Sequence, residues 1–422
     1  MACTSNHVFH NWAQTITCKP DQFCQPASEA EVQQLVQQAI KDKKRVRTVG
    51  AGHSWAPLVL TEDILVNLDQ LNLVASDSTS LRSQAQAGIR LKDLTPQLAE
   101  AGLGLVNLGS IREQSIAGAI STATHGTGLP FGILATQIVS MRLVTGTGDI
   151  LAIKETDTDL LRAARVNLGA LGIITEITLQ CVKDYDLEYT AYACGFDEAL
   201  AKLEDLNKNN TRVRLWWLVP AIGPKDRVIV TTMNPPGTGS APAGAAPLPM
   251  DVATLFTNFA NLLSGAGPCT EFLKFKGHYD QILTVPLLPV LHRECEYAIP
   301  IEHTADALRA FKNVIDEQDL SLTLPIEVRF VKADDSLLSP TNGKDVCYIG
   351  AATQPNANEV FERFEPIMRA LDGRPHWGKC FSLTRDDLQR MYGSKYDQFR
   401  KLRTQFDPNG TFSNELLTRL FN

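Results

Sequence analysis

The sequence lacks several patterns that would define its class at once. None of its nine cysteines forms a C-x-x-C pair and their number is odd, so buried reduced thiols are expected rather than a disulfide framework or a zinc site. The 422 residues include 40 basic and 47 acidic side chains, and this formal net charge of −7 gives no support for nucleic-acid binding. The longest apolar run, residues 282–291, is broken by two prolines and is about half the length that a membrane-spanning helix needs.

The N-terminal stretch MACTSNHVFHNW has neither a basic n-region nor an apolar h-region, so it predicts no signal peptide. We therefore expect a chain without a membrane segment, located in the cytoplasm or bound peripherally to a membrane. Its 44% apolar and 21% charged residues are typical of a globular protein, and its length predicts two or three domains.

Helices and strands alternate in the first part of the chain. Ser28 and Glu31 form a capping-box pattern before an amphipathic run, which predicts a helix. The strand-like segments RVRTVG and DILVNL follow with a glycine-containing loop between them, an order typical of an α/β nucleotide-binding unit. From about residue 187 strand-like segments dominate. Further expectations are helices at 91–102, 157–172 and 386–406, a hairpin turn at 146–149, and a flexible surface loop at 234–249.

The loop VGAGHSW, residues 49–55, has the composition of an anion-binding turn. Gly50 and Gly52 allow the backbone to approach an anion closely, and successive N–H groups can form a nest around it. The loop is not G-x-G-x-x-G and lacks an acidic residue at the Rossmann spacing, which argues against ordinary NAD binding. His53 would place a reactive imidazole at the end of this loop. The alternative is a strand-ending turn with a structural histidine.

Two further segments could carry chemistry. Small residues dominate NLGSIREQSIAGAISTATHGTG, residues 107–128, which suits backbone running along a flat or phosphorylated ligand, although generic close packing is the alternative. In PIEVRFV, Glu327 and Arg329 share one strand face, where they could clamp a polyhydroxylated substrate or form only a surface ion pair. RPHWGK brings His376, Trp377 and Lys379 together, in a context also typical of a surface turn.

Together these segments resemble the aldonolactone oxidoreductases of the vanillyl-alcohol-oxidase flavoprotein superfamily. The likeness extends nearly end to end, through FHNWAQTITCKP, QPASEAEV, VGAGHS, NLGSI, THGTG, LGALGIITEITLQC, EVRFV, PHWGK and FDPNGTFSN, and is weakest at 187–291. It implies an α+β fold. An FAD-binding domain of the PCMH type would cover 1–184, and a substrate-binding cap domain with an antiparallel sheet flanked by helices would cover 185–385. A C-terminal segment, 386–422, would return to the FAD domain.

The resemblance implies FAD as the cofactor, bonded covalently through its 8α-methyl carbon to His53. The loop from Arg47 to His53 would cradle the pyrophosphate with backbone donors, and residues 109–128 would run beside the isoalloxazine ring and the pyrophosphate. No metal is expected. The implied cofactor contacts are Arg47, Val49, Gly50, Ala51, Gly52, His53, Ser54, Gly109, Ser110, Ser115, Gly118, Thr124, His125, Gly126, Gly128, Gly172, Ile173 and Lys379.

The resemblance also implies the catalytic residues. Ser110, Glu327, Arg329 and Lys379 would line the substrate site, with the substrate carbinol delivering hydride to flavin N5. Arg329 and Lys379 would stabilise developing negative charge, and Glu327 would accept hydroxyl hydrogen bonds or the proton. Gly109 would lie at the flavin C4a–N5 edge, where dioxygen arrives. A related dehydrogenase has alanine there, so glycine implies an oxidase that releases hydrogen peroxide, although alditol oxidases with alanine still use oxygen.

The expected reaction is therefore oxidation of a sugar 1,4-lactone, such as L-gulono-1,4-lactone or D-arabinono-1,4-lactone, at its C2 hydroxyl, giving an ascorbate-type product. An alditol oxidase acting at C1 and a dehydrogenase with another electron acceptor are alternatives. A non-catalytic flavin-binding or sugar-binding protein is a third alternative. The joint presence of His53, Glu327, Arg329 and Lys379 argues against this last possibility.

Overall fold

The computed structural model describes residues 2–219, 226–239, 273–285, 290–320, 322–354 and 356–422. Within these ranges the helices are α1 (Glu29–Lys41), α2 (Leu91–Glu100), α3 (Ile116–Ser121), α4 (Thr158–Ala164), α5 (Phe196–Ala201), α6 (Leu203–Asn209), α7 (Tyr279–Leu283), α8 (Thr304–Gln318), α9 (Ala357–Ala370), α10 (Arg385–Tyr392), α11 (Ser394–Phe406) and α12 (Glu415–Phe421). Short 3-10 helices lie at Leu134–Gln137 and Ile301–His303.

The strands of the first half are β1 (Ala2–Thr4), β2 (Phe9–His10), β3 (Thr17–Cys18), β4 (Gln22–Gln25), β5 (Val46–Val49), β6 (Ile64–Asn67), β7 (Val74–Asp77), β8 (Arg82–Gln86), β9 (Leu103–Gly104), β10 (Ile138–Val144), β11 (Ile150–Ile153), β12 (Ile173–Gln180) and β13 (Val182–Lys183). Those of the second half are β14 (Asp186–Gly195), β15 (Val213–Leu218), β16 (Arg227–Asn234), β17 (Leu273–His278), β18 (Arg293–Pro300), β19 (Ile326–Val331), β20 (Val346–Thr353) and β21 (Arg374–Pro375).

The first part of the chain forms two sheets. One has the order β1-β4-β6-β5, and the two strands predicted on either side of the glycine loop are its members β5 and β6, which run parallel. The other has the order β11-β10-β12-β8-β7 and contains the predicted hairpin of β10 and β11. The predicted first helix is confirmed as α1, where the Ser28 side chain accepts a hydrogen bond from the Glu31 N–H. The Glu31 carboxylate accepts from the Ala27 N–H rather than from that of Ser28.

The second part forms an antiparallel sheet of order β17-β14-β16-β15-β19-β20-β18-β21. Side chains alternate across its strands, so one face packs on α8 and α9 through residues such as Phe311 and Phe364. The opposite face carries charged side chains and meets the core of the first part. The expected α+β class, with an antiparallel sheet flanked by helices, is confirmed.

The C-terminal helices pack against the first part of the chain. Tyr396, Phe399, Leu417 and Phe421 belong to the same hydrophobic core as α1, β5 and α2. Asn414, which caps α12, also donates hydrogen bonds to carbonyls of the loop that follows β5. This packing supports the proposed return of residues 386–422 to the FAD-binding part, although the domain boundaries stay a prediction.

Two predicted helices are shorter than expected. The helix expected at 157–172 ends at Ala164, because Leu168 and Gly169 have φ values of 57° and 66° in the left-handed region. The single helix expected at 386–406 is divided into α10 and α11 by Gly393, whose φ of 53° ends the first helix.

The cysteines also differ in part from expectation. Cys3 and Cys24 form a disulfide, because antiparallel pairing of β1 with β4 puts them directly opposite each other. This pairing is not readable from their spacing, since β1 and β4 are joined through the β2–β3 hairpin. Of the predicted loop at 234–249, residues 240–249 lie outside the described residues. Among the residues that the structure describes, no helix is both long and apolar enough to cross a bilayer.

Candidate active site

A cleft opens beside the loop that follows β5. Gly50 lies against Ser115, and a Cβ at position 50 would overlap the Ser115 hydroxyl. Gly52 has a φ of +68°, which favours glycine. Backbone and small side chains therefore form most of this wall, as a close-fitting elongated cofactor requires. The predicted cofactor residues that line it are Arg47, Val49, Gly50, Ala51, Gly52, His53, Ser54, Ser115, Gly118 and Gly172.

Arg47 uses its guanidinium to hold the cleft together. The group is buried and donates to the carbonyls of Leu58 at 2.7 Å, Leu168 at 2.9 Å, Gly169 at 3.1 Å and Phe412 at 2.6 Å. Burial lowers the pKa of Arg47 to about 10, which leaves it charged at neutral pH. Its side chain thus positions three loops around the cleft.

His53 lies at the end of the glycine loop among aromatic rings. Its ring centroid is 5.6 Å from that of Trp12, and Trp12 meets Trp55 edge-on at 6.1 Å. The Trp55 indole N–H donates to the His292 carbonyl at 2.6 Å. Burial lowers the pKa of His53 to about 4, so the imidazole is neutral at neutral pH and keeps a free lone pair, the form that a nitrogen nucleophile requires.

The small-residue segment is held against the large sheet. Gly128 donates its N–H to the Phe330 carbonyl at 2.6 Å and forms a parallel bridge with Val331 of β19. A Cβ at Gly126 would overlap the Asn107 side-chain amide, so close packing requires glycine there. This docking brings residues 109–128 from the cofactor side of the molecule to the charged face of the sheet. His125, Gly126 and Gly128 are therefore on the sheet side of the site, away from the cleft wall.

Thr124 and the His125 backbone pack closely against Gly109. A Cβ at this position would lie 2.7 Å from Thr124 Cγ2 and 3.4 Å from the His125 carbonyl oxygen. Thr124 is itself fixed, because its hydroxyl accepts a hydrogen bond from the Gln114 amide at 3.2 Å. A side chain at position 109 would therefore require Thr124 to move.

Charged residues recur two apart on strands of the large sheet and share one face. Glu327 and Arg329 lie on β19, and Glu294 and Glu296 lie on β18. The register places Gly350 of β20 between Glu327 and Glu296, so no side chain separates the two carboxylates. The gap left by this glycine allows both carboxylates to converge on one cation.

Arg329 is that cation. Its Nη2 lies 3.0 Å from Glu327 Oε2 and 3.2 Å from Glu296 Oε1. Its Nη1 points the other way, 3.5 Å from Ser110 Oγ and 3.3 Å from the His125 carbonyl. The side chains of Arg329, Glu296 and Glu327 are largely shielded from solvent, so the predicted pairing of Glu327 with Arg329 is an internal ion pair and not a surface one.

Lys379 completes the charged face near the cleft. It forms a short ion pair with Glu294, and its ammonium group is 4.5 Å from the centre of the Trp55 indole ring. The Gly378 carbonyl accepts a hydrogen bond from the backbone N–H of Trp55 at 2.7 Å, which fixes this turn beside the His53 loop. The lysine therefore lies between the cofactor cleft and the charged sheet face.

The site also contains charged residues that were not predicted. Glu294, Glu296 and Arg214 all lie on the charged face, and Arg214 Nε is 3.3 Å from Glu327 Oε1. The signal was present in the sequence, because ECE on β18 and RVR before LWW on β15 repeat the two-residue spacing that identified Glu327 and Arg329. Of the predicted cofactor residues, Ile173 begins β12 and lies between the lining residues Gly172 and Ile174.

His125, Glu296 and His376 come close enough for a metal site, with ligand atoms within 4.8 Å of one another. Their chemistry does not suit a cation. His376 Nδ1 accepts the Gly378 N–H at 2.9 Å, so Nε2 carries the proton of the neutral ring and neither nitrogen is free to bind a metal. Arg329 already supplies a positive charge 3.2 Å from Glu296 Oε1.

Comparisons with known proteins identify the family of the chain. The family profile described as D-arabinono-1,4-lactone oxidase matches residues 278–420, and an FAD binding domain profile matches residues 20–154. L-gulonolactone oxidase of Bos taurus is 33% identical over 438 residues, covering 98% of each chain. The chain belongs to the aldonolactone oxidase family of FAD-dependent flavoproteins.

Other relatives refine this assignment. L-gulono-1,4-lactone dehydrogenase of Mycobacterium tuberculosis is 34% identical over 433 residues, covering 98% of this chain and 99% of its own. A crystal structure of cholesterol oxidase from Brevibacterium sterolicum superposes with a TM-score of 0.80 at 17% identity, covering 100% of this chain and 97% of that one. The aldonolactone oxidase family thus includes both an oxidase and a dehydrogenase by name. The chain is an FAD-dependent oxidoreductase, and the FAD-binding fold is shared with the more distant cholesterol oxidase.

Proposed function

We propose that this aldonolactone oxidase family member is an oxidase of sugar 1,4-lactones of the L-gulono-1,4-lactone type. It oxidises the C2 hydroxyl to an ascorbate-type product and passes the electrons to dioxygen, releasing hydrogen peroxide. The observation that carries this proposal is Arg329, held from behind by Glu296 and Glu327 and directed towards Ser110 beside Gly109. Such a fixed cation is suited to an oxygen that gains negative charge during reaction.

The surrounding side chains suit a polyhydroxylated substrate. The Glu327 side chain is 13% exposed on the charged face, and it is proposed to accept a hydrogen bond from a substrate hydroxyl, or its proton during oxidation. Its Oε1 also pairs with Arg214 Nε at 3.3 Å. Ser110 can both donate and accept a hydrogen bond. Lys379 adds a second positive charge on the cofactor side. Bound FAD supplies the two-electron acceptor, while these residues orient the lactone and manage its proton.

We propose oxygen as the final acceptor because Gly109 has no side chain at the position that the family resemblance assigns to the flavin C4a–N5 edge. Thr124 already packs closely there, so a methyl group would lie 2.7 Å from Thr124 Cγ2, next to the serine that faces Arg329. The named dehydrogenase among the relatives makes a non-oxygen acceptor the second candidate function. The two differ in whether peroxide is released at a rate equal to substrate oxidation.

His53 is proposed to hold the flavin covalently at its 8α-methyl carbon. The neutral, buried imidazole at the end of the glycine loop supports this role. The test is a denaturing gel of wild type and His53→Ala, viewed for flavin fluorescence after acid treatment. Fluorescence should stay with the wild-type band and vanish in the variant. A dark wild-type band would contradict the covalent link and leave FAD bound by non-covalent contacts.

A substrate panel tests the reaction itself. We expect steady peroxide release with L-gulono-1,4-lactone or D-arabinono-1,4-lactone and slower turnover of alditols, which are oxidised at C1. Faster turnover of alditols would favour the alditol oxidase alternative. Turnover of lactones with a dye but without peroxide would favour the dehydrogenase.

The role of Gly109 requires a pair of variants. Gly109→Ala should lower turnover with oxygen by roughly tenfold relative to turnover with a dye, about 1.4 kcal/mol in the barrier. Because the new methyl group would also press on Thr124, the matched control is Gly109→Ala with Thr124→Ser, which removes Cγ2 and keeps the hydroxyl for Gln114. Equal losses with both acceptors in the double variant would contradict an oxygen-specific role.

A further inference from the structure

The buried pair of His125 and Glu296 has a hydrogen-bonding problem that only a proton solves. His125 is 1% exposed, and its Nδ1 lies 3.0 Å from the Gly126 carbonyl oxygen. Its Nε2 lies 3.3 Å from Glu296 Oε1. Both neighbours are acceptors, and a neutral imidazole has only one N–H. Either neutral tautomer therefore points a lone pair at an oxygen. The doubly protonated ring instead donates to the Gly126 carbonyl through Nδ1 and faces the Glu296 carboxylate through Nε2 as an ion pair, outside hydrogen-bond geometry.

Other groups around the ring do not remove the conflict. Tyr348 stacks on His125 with centroids 3.5 Å apart and so contacts its face and not its nitrogens. His376 uses Nδ1 to accept the Gly378 N–H. Glu296 Oε2 has no hydrogen-bond partner among the described residues, so its charge is balanced mainly by Arg329 and His125, with a smaller contribution from Lys379.

We propose that His125 and Glu296 hold one buried proton behind Arg329, and that Glu296 is a positioning residue which fixes Arg329 from that side. With the proton present, the Glu296 carboxylate is shared between two cations. Without it, the carboxylate attracts Arg329 alone and draws the guanidinium away from Ser110. The proton therefore adjusts how much positive charge Arg329 presents towards the substrate side. That consequence for catalysis rests on the proposed function, whereas the proton site does not.

Charge around the pair acts in both directions. Burial raises the pKa of Glu296, but the positive charges of His125 and Arg329 outweigh burial and hold it well below the ordinary value. Burial lowers the pKa of His125, against the attraction of Glu296. The low pKa of Glu296 keeps the proton off the carboxylate, whereas the low pKa of His125 disfavours a second proton on the ring. We assign the proton to the ring because each ring nitrogen lies beside an acceptor. The other titratable or charged groups that face the pair are Arg329 and Glu327 on β19, Tyr348 on β20, Glu294 on β18, and His376 and Lys379 after β21.

The test is nuclear magnetic resonance of the holoprotein labelled with ¹⁵N in its histidines. At neutral pH both ring nitrogens of His125 should carry protons in wild type. Glu296→Gln should leave a proton on Nδ1 only, because the glutamine amide preserves the shape and can donate to Nε2. A single ring proton in wild type, or two protons retained in Glu296→Gln, would overturn the proposal.

Two further variants identify the His125 signal independently of the Glu296→Gln result. The His125 signal is the one lost in His125→Asn or, should that variant fail to fold, the one shifted when Tyr348→Leu removes the stacked ring. Glu365→Gln is the matched control, because Glu365 is a buried carboxylate of the same part that bonds Ser382 and lies outside this cluster. It should leave the His125 signal unchanged.

Activity gives the second readout. Glu296→Gln should lower kcat by about tenfold with a smaller change in KM, since Arg329 acts mainly on the reacting state. It should also remove the dependence of kcat on pH that the shared proton causes. Unchanged kcat and pH profile would overturn the positioning role. If neither protein oxidises a lactone, the proposed function fails, while the proton site is still judged by the resonance signals.

Discussion

The two sides of the site are built from different materials. The cofactor cleft consists largely of backbone, glycines and small side chains, with Gly50 packed on Ser115 and the one arginine turned inward to bond carbonyls. The sheet face opposite consists of charged side chains on rigid strands, with Arg329 between two carboxylates. The first side is therefore suited to bind an anion through backbone N–H groups, and the second presents charged side chains to a ligand.

This difference predicts which kind of substitution each side tolerates. On the cleft side, added bulk should do the damage, because contacts there leave no space for a Cβ. On the sheet side, loss of charge should do the damage, because a buried ion pair that loses one partner leaves the other uncompensated. If added bulk and lost charge proved equally harmful on both sides, the variants below would contradict this expectation.

Arg329→Met should have the largest effect. It leaves Glu296 and Glu327 buried without their shared cation, and we expect the free energy of unfolding to fall by about 3–5 kcal/mol. Loss of the charge directed towards Ser110 should lower kcat by roughly 10²–10³-fold. Chemical denaturation and steady-state kinetics measure both. Arg329→Lys keeps the charge and should lose less of each; a methionine variant as active as the lysine variant would refute a role for the charge.

Gly50→Ala tests the cleft side by bulk alone. The added methyl group would overlap the Ser115 hydroxyl, and such overpacking commonly destabilises by about 1–3 kcal/mol. We expect a lower flavin content per protein, measured by absorbance, with little change in the folded sheet face. Ser115→Ala in the same chain should restore part of the content, since the nearest remaining contact is then 3.0 Å from the new Cβ.

Gly195→Ala is the control for this variant. The nearest atom to a Cβ at Gly195 is Glu198 Cβ at 3.9 Å, so the same chemical change makes only an ordinary van der Waals contact. It should leave the flavin content unchanged. A Gly50→Ala variant that binds flavin as fully as wild type would show that the cleft has room which the packing against Ser115 does not suggest.

Local patterns predicted the parts of this contrast that depend on one segment. The cap of α1, the two strands around the glycine loop and the shared face of Glu327 and Arg329 follow from local residue patterns. The contact between Arg329 and Glu296 could not be predicted in this way. Glu296 lies 33 residues away in sequence, on a strand that reaches Arg329 across Gly350. The Cys3–Cys24 disulfide was not predicted for the same reason, since it depends on the pairing of strands β1 and β4.

The junction between the two sides offers the smallest and most specific test. His278 Nδ1 lies 2.6 Å from Asp280 and its Nε2 lies 2.7 Å from Asp184, while Asp280 also bonds Arg112 at 2.8 Å on the loop that carries Ser110. Unlike His125, this ring is partly exposed. Burial lowers the pKa of His278, but the hydrogen bonds to Asp280 and Asp184 outweigh burial and raise it.

A raised pKa in the folded state means that the protonated ring contributes stability. That contribution is complete below the unfolded histidine pKa of about 6.5 and is lost as pH rises through the folded value. The free energy of unfolding of wild type should therefore exceed that of His278→Asn at about pH 6 by more than it does at about pH 9. Denaturant titrations at the two pH values measure this difference, which solvent screening keeps small because the ring is a quarter exposed. A gap between the proteins that grows with pH would mean that the neutral ring, and not the imidazolium, joins the two aspartates.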